Sequence, residues 1–447
     1  MRVAIIGAGI VGVTSAYELA ASGHAVTVFE RRGSAAAESS FANAGLVSPG
    51  YVAPWATPDM PGQVLRHLFS KHTPLRMKAP FGPSSLGWMW QWWRACAAQN
   101  QRSQRVRLHR LAHYSKDRLQ LLTRLLDLDY ERSEGSLVLL RTAEDLAMAE
   151  PKLNALKELG VRFELLDKAG ALTVEPGLDA GAEIHAGVRL AHDEVGNCRQ
   201  FALLLREKAE RLGARFCFHT TVQAIEPGAR PGVTRVYSPL EESTWRSADA
   251  VRDDPPTDVL PFEPETETFD AVMVCAGADA AALLVPLGLR LPIAPVYGYS
   301  VTAPLRHLDA HPDVGPRAVV IDERYKVAIS RFGSRLRVAG GAELGGSLTR
   351  HHRASLETLY KVMDDWFPGA AHMSQAQTWK GINPMLPDGP PVLGESGIPG
   401  VWLNLGHGSS GWALACGSAR ILADMLSRQV PAIDTEGLGV NRFLRRT

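Results

Sequence analysis

Residues 1–30 constrain the fold more than any other stretch. Val3 to Ile6 is a short apolar run, and Gly7, Gly9 and Gly12 follow in the spacing G-x-G-x-x-G. Ile10 to Ser22 carries helical spacing at Val11, Ser15 and Leu19, Gly23-His24 ends it, and Ala25 to Phe29 is a second apolar run. Strand, helix and strand within some thirty residues require a right-handed parallel crossover. In such a unit the first glycine permits the tight turn. The second lets the backbone approach a pyrophosphate, and the third packs helix against strand. The helix start offers free N–H groups and the positive end of its dipole to the anion. Glu30 closes the second strand, where a carboxylate accepts hydrogen bonds from a ribose hydroxyl and disfavours a 2′-phosphate. The expectation is a dinucleotide other than NADP.

The rest of the chain limits what surrounds that unit. Its 447 residues are too many for one small core, so two or three domains are expected. A formal net charge of +1 gives no global reason to expect nucleic-acid binding. The five cysteines are scattered, odd in number and without a C-x-x-C pair, which argues against a disulfide framework or a zinc site and for a reducing cytosol. No signal peptide is expected before the first strand, and no apolar run reaches the ~18 residues needed to span a bilayer.

Further elements follow from periodicity. Arg102 to Leu128 and Arg199 to Leu212 read as helices, Arg215 to Phe218 and Ala271 to Val274 as strands. Tyr325 to Ser330 and Arg335 to Ala339 alternate like an antiparallel hairpin. Pro227 to Thr268 is rich in Pro, Asp and Glu and reads as an exposed, mobile insertion. Leu86 to Trp93 holds four tryptophans in six residues, read either as a helix packed in a second domain or as a membrane-interface surface. Val401 to Leu405, Gly406 to Gly411 and Trp412 to Leu426 form a second strand, Gly/Ser turn and helix. That turn either faces the edge of the cofactor or is an ordinary helix entry. His407 within it is either a cofactor or substrate contact or a turn histidine bonding backbone.

Several long segments carry a resemblance. They are Val3 to Val13, Ser40 to Tyr51, Ala53 to Ala56, Asp193 to Cys198, Gly298 to Ser300, Asp322 to Phe332, Asn383 to Gly389 and Asn404 to Ser418. In these the chain resembles the small-subunit type of D-amino-acid dehydrogenase, within the D-amino-acid oxidase and glycine oxidase superfamily. The resemblance implies FAD as cofactor and an α/β fold, with a Rossmann-like FAD-binding domain and an α+β substrate domain on a mostly antiparallel sheet. The expected division is 1–85, 185–291 and 378–447 for the first, and 86–184 and 292–377 for the second. The implied reaction is hydride transfer from the substrate α-carbon to flavin N5, giving an imine that water hydrolyses. The alternatives are an oxygen-using oxidase, or a flavin-binding protein without amino-acid turnover. The implied partners are a small amine or amino acid and a quinone or other electron carrier. Location is expected to be cytoplasmic, with peripheral contact at the inner membrane.

The resemblance also places candidate residues. Cofactor contacts are expected from Gly7, Ala8, Gly9, Ile10, Val11, Gly12, Glu30, Arg31 and Arg32, and from Ala42, Asn43, Ala44, Gly45 and Leu46. Val222, Ala276, Gly277, Gly381, Gly406, His407, Gly408, Ser409, Ser410 and Gly411 complete the set. Tyr51, Tyr299 and Tyr325 are candidates to line the substrate pocket. The chain departs from its relatives where Gly381-Ile382-Asn383-Pro384 replaces the usual G-L-R-P, whose arginine clamps a substrate carboxylate. Asn383 cannot replace that charge, and Lys380, three residues along a strand, should face the other side. Either another cation serves, such as Arg331 or Lys326, or the substrate lacks a simple free carboxylate.

Overall fold

The computed structural model describes residues 1–58, 60–62, 72–77, 83–238, 263–306 and 314–444. Two large sheets organise them. The first has six strands in the order Val392–Glu395, Val401–Leu405, Ala271–Val274, Arg2–Ile6, Ala25–Phe29, Arg215–Cys217. All pairs in it are parallel except the first. Its central strands are buried on both faces, which is why they read as unbroken apolar runs. Helices Ile10–Ala21, Cys198–Arg211 and Gly411–Leu426 pack together on one face with the long helix Ala98–Leu126.

The second sheet runs Gln377–Met385, Ala294–Pro304, Arg335–Leu344, Val327–Phe332, Val319–Asp322, Ser133–Leu140, Ala186–Val195, Leu46–Val47. It is antiparallel along that path except where Val319–Asp322 lies parallel to Ser133–Leu140. Helix Arg353–Trp366 covers one face through Leu359, Val362 and Trp366. Helix Ala143–Glu158 covers part of the other through Ala149, Leu153 and Leu156. The strands Ala186–Val195 and Gln377–Met385, which the sequence reading assigned to the first unit, lie in this second sheet, so we draw the division after each of them.

Pro227 to Thr268 is more ordered at its ends than its composition suggests. Gly232–Tyr237 and Glu265–Thr268 pair antiparallel, and with Thr220–Glu226 they form a small third sheet. Val233 is fully buried there. The acidic centre of that stretch, 239–262, lies outside the described residues. Among the described residues no helix is long and apolar enough to cross a membrane.

Candidate cofactor and substrate site

The nucleotide end is built from the first glycine turn. Gly7 has φ +102°, and a Cβ there would lie 2.8 Å from the Cys275 carbonyl oxygen; a Cβ at Gly12 would strike the Gly7 carbonyl. Both are glycine because the protein backbone leaves no room. Gly9 differs. Its φ is −65°, and a Cβ would meet only the Ser40 hydroxyl, at 3.5 Å. Nothing in the chain forbids a side chain there, so the space in front of this helix start is kept for something else. That is the observation expected of a pyrophosphate cradle. Glu30 accepts from Ala8 N at 2.7 Å and Arg32 N at 2.8 Å, and burial raises its pKa. Arg31 pairs with Glu38 and Asp279, and Arg32 with Glu38, a charged rim around this end. Gly277 follows Ala276 with φ +55° on the neighbouring strand exit. Val222 and Ala276 are both partly buried against one apolar cluster that includes Phe29 and Val274.

Residues Ala42 to Leu46 bridge this end to the second sheet. The Arg337 guanidinium donates to Asn43 O at 3.0 Å, and Ser330 Oγ to Ala44 O at 2.7 Å. Gly45 is packed so closely against the Phe332 ring that a Cβ would lie 2.5 Å from it, and its φ is +73°. The Gly45 carbonyl accepts from Trp412 Nε1 at 3.1 Å and from Gly196 N at 2.9 Å. Ser40 caps Ile10 N at 3.0 Å. Ser40, Ser330, Arg337 and Trp412 went unrecognised in the sequence as site-building residues. Only Ser40 left a local trace, lying at the start of the stretch Ser40 to Tyr51.

The face of the sheet that receives Ala42 to Leu46 continues to Gly298, Gly381 and Asn383. Ser330 pairs with Arg337, Thr302 with Arg337, Ser300 with Trp379, Gly298 with Gly381 and Val296 with Asn383, so these side chains share one side. The Trp379 indole lies along Gly381, which has no room for a Cβ. The Asn383 amide nitrogen lies 3.2 Å from where a Gly298 Cβ would be, and among the described residues it has no hydrogen-bond partner. Beyond Asn383 the trough ends against Trp88, Val296, Leu344 and Met385, with Trp55 and Trp92 packed around them.

The remaining candidates separate from this face. Tyr299 and Lys380 are a register pair on the opposite side, under helix Arg353–Trp366. Lys380 Nζ and Glu343 form an ion pair at 2.9 Å with each side chain 1% exposed. The Tyr299 hydroxyl donates to Glu343, and burial together with that carboxylate drives its pKa up. Lys380 thus points away from Asn383, as its spacing predicts. Tyr325 is also on the helix-covered side, with Arg141 and Lys361 over its ring. Arg331 donates to the Gly333 and Val314 carbonyls at 3.2 and 3.5 Å, and its neighbour Ser330 takes the cradle side of the strand. Lys326 pairs with Glu323 in the turn before it. Tyr51 stands on the cradle side but donates to Glu323 at 2.9 Å, with the Lys152 ammonium 3.5 Å above its ring. Burial lowers the Lys152 pKa to about 8, and the two lysines hold Glu323 down at about 2 against its burial.

The C-terminal turn meets the end of strand Gln377–Met385 through a bridge from His407 to Met385. Gly406 and Gly408 have φ +77° and +57°, and side chains there would run into Leu386 and Met385. The turn continues through Ser409 and Ser410 into Gly411 and the last long helix. The His407 ring is buried and its Nε2 bonds Ser418 Oγ at 3.0 Å, with burial taking its pKa down to about 3. That bond ties the ring to the helix it introduces. Among the described residues no cluster of His, Cys, Asp or Glu suits a metal.

Comparison with known proteins matches this architecture. The family model described as FAD dependent oxidoreductase matches residues 2–425. The chain belongs to this family. FAD is therefore its cofactor, and the cradle at Gly9, Glu30 and Asn43–Gly45 fits it. The chain is 42% identical to a D-amino acid dehydrogenase of Cereibacter sphaeroides over 447 residues, covering 99% of this chain and 95% of that protein. It is 41% identical to another of Rhizorhabdus wittichii, covering 99% and 100%. In fold it is similar to glycine oxidase from Geobacillus kaustophilus, with a TM-score of 0.72 at 20% identity over 99% and 100% of the two chains. Iminodiacetate oxidase from a Chelativorans species gives 0.68 at 20% identity over 98% of each.

Proposed function

We propose that this oxidoreductase deaminates an amino acid or related amine in the manner of a D-amino-acid dehydrogenase, delivering electrons to a carrier other than oxygen that it meets at a membrane surface. The observation that carries the reading is the convergence of Asn43 to Gly45 on the sheet face holding Trp379 and Asn383. Bound FAD supplies a two-electron acceptor for the hydrogen on the substrate carbon. The chain's contribution is placement. Arg337, Ser330 and Trp412 fix the backbone of Asn43 to Gly45, so the wall above the trough is rigid. The Trp379 indole forms an apolar floor and Asn383 offers one neutral amide beside it. Trp88, Trp92 and Trp55 close the far end with aromatic surface and favour a substrate with an apolar or aromatic side chain.

Anaerobic mixing of the FAD-loaded protein with a panel of D-amino acids, L-amino acids and simple amines tests this directly. Bleaching of the flavin absorbance by a D-amino acid or related amine, with negligible peroxide on admitting air, is the expected result. Bleaching by no amine, or stoichiometric peroxide, overturns it.

A further inference from the structure

Helix Pro83–Ala95 has two apolar faces, and only one is used inside the molecule. Trp88 and Trp92 stack with ring centroids 6.5 Å apart and face the core, where Trp88 Nε1 donates to Met385 O at 3.2 Å. Leu86, Trp90 and Trp93, spaced at i, i+4 and i+7, face outward and are 56%, 57% and 63% exposed. Among the described residues nothing covers this outward stripe of one leucine and two indoles. The sequence on either side of it is one-sided in charge. From Met60 to Lys116 the sequence holds ten Lys and Arg and no Asp or Glu, whereas the chain as a whole carries 48 basic and 47 acidic residues. Arg94 lies over the Trp90 ring at 4.8 Å, so cation and indole sit together. Asn100 Nδ2 donates to Arg94 O at 3.2 Å, holding the start of helix Ala98–Leu126 against the end of this one. Just beyond, a groove of about 350 Å³ is lined by Arg102, Arg107 and Arg110 together with the carboxylates of Asp434 and Glu436. Arg110 is already paired there with Asp434 at 2.8 Å, while Arg102 makes no ion pair among the described residues.

We infer that this face docks on an anionic phospholipid bilayer, with Trp90 and Trp93 seated at the headgroup boundary and Arg94 and Arg102 on lipid phosphates. Indoles favour that boundary because it offers an apolar layer and polar partners within one ring's length. Arg94 and Arg102, which make no ion pair among the described residues, add attraction to an anionic surface and none to a neutral one. The inference rests on the proposed membrane-borne acceptor, and it names the surface that reaches it. Tryptophan exposure and acid-free sequence select a bilayer over a second copy of this chain, because an isologous contact would bring the same cations face to face.

The test uses FAD-loaded full-length protein without substrate, sedimented with vesicles of phosphatidylglycerol and phosphatidylcholine or of phosphatidylcholine alone. Binding to the anionic vesicles is expected, weakened by salt and at least about tenfold weaker for neutral ones. Trp90→Ser/Trp93→Ser and Arg94→Gln/Arg102→Gln should each lower partitioning about tenfold or more. Flavin content and turnover with a soluble artificial acceptor should stay unchanged in both. Absence of vesicle binding, equal binding to neutral vesicles, or unaltered binding by both variants overturns the inference. So does a lipid-free dimer that Trp90→Ser/Trp93→Ser converts to monomer. Turnover is read separately, so a protein that binds vesicles without oxidising amines refutes the activity and leaves the surface standing.

Discussion

The two faces of the ten-stranded sheet are built from the same strands and do opposite things with polarity. On the helix-covered face, the polar groups are charged, paired and sealed. Lys380, Glu343 and Tyr299 satisfy one another beneath helix Arg353–Trp366. On the cradle face, the one buried cation, Arg337, is bonded to Asn43 O and Thr302 Oγ1, while Asn383 has no partner among the described residues. Glycines at 298 and 381 keep that side low, whereas the other side is filled by the Tyr299 ring and aliphatic side chains. The difference teaches that residue type alone does not mark a site. A buried tyrosine–carboxylate–lysine constellation, which looks catalytic in a list, is here a sealed structural network. The less conspicuous asparagine is the group left with unused hydrogen-bonding capacity.

Lys380→Met should break this contrast most severely. It leaves the Glu343 carboxylate buried beside Tyr299 without its principal cation, a change that costs about 3–5 kcal/mol. Chemical denaturation should show a loss of that size, while the protein that remains folded keeps its FAD and its substrate preference. A loss of activity with stability intact would place Lys380 in the trough.

Asn383→Arg acts on the other face and should alter chemistry with little effect on folding. Providing a bidentate clamp for a carboxylate in a desolvated site is worth about 2–5 kcal/mol. Catalytic efficiency on D-alanine should then rise by roughly thirtyfold or more, and fall on the preferred substrate. Steady-state kinetics with an artificial acceptor on both proteins measures this. Efficient D-alanine oxidation by the unmodified protein, unchanged by the substitution, would mean that another cation holds the carboxylate.

Tyr299→Phe is the mildest change. It removes a hydroxyl that donates to Glu343 and accepts from His352 N at 3.1 Å. A hydrogen bond to a charged group contributes about 1.5–3 kcal/mol, so the denaturation midpoint should fall modestly. KM and kcat should not move. A change in KM larger than about threefold would bring Tyr299 back to the substrate side.

What the sequence made legible, and what it hid, follows from how far each signal reaches along the chain. The first strand, glycine turn and helix were readable nearly to the residue, because each rests on neighbours within four positions. The long helix and the last strand–turn–helix were readable for the same reason. The facing of Tyr299 was not. Strand Ala294–Pro304 is largely buried on both sides, so its residues carry no alternation to separate cradle from helix side. Arg331 misled in the same way, as a cation on a strand whose orientation only the sheet settles. Ser330, Arg337 and Trp412 were invisible as site builders because their partners, Asn43 to Gly45, lie about 290 to 370 positions away. Lys380 was the exception: its distance of three from Asn383 was enough to turn it to the other side.

The Gly45 carbonyl, shared by Gly196 N and Trp412 Nε1, has a consequence for how the protein is made. It joins stretches of chain that leave the ribosome at widely separated times. At about 5–20 residues per second, the indole follows Gly45 by roughly 20 to 70 seconds. Until then the first βαβ unit can form and Gly196, Ser330 and Arg337 can hold Asn43 to Gly45, but the Gly45 carbonyl lacks its indole partner. Cofactor uptake is accordingly expected to be completed only with the last long helix, although the first glycine turn forms early. Closing loops of this length is slow, and during that interval the apolar trough stays open to other chains. Supply of FAD at the end of synthesis, more than at its start, is what should govern the yield of native protein.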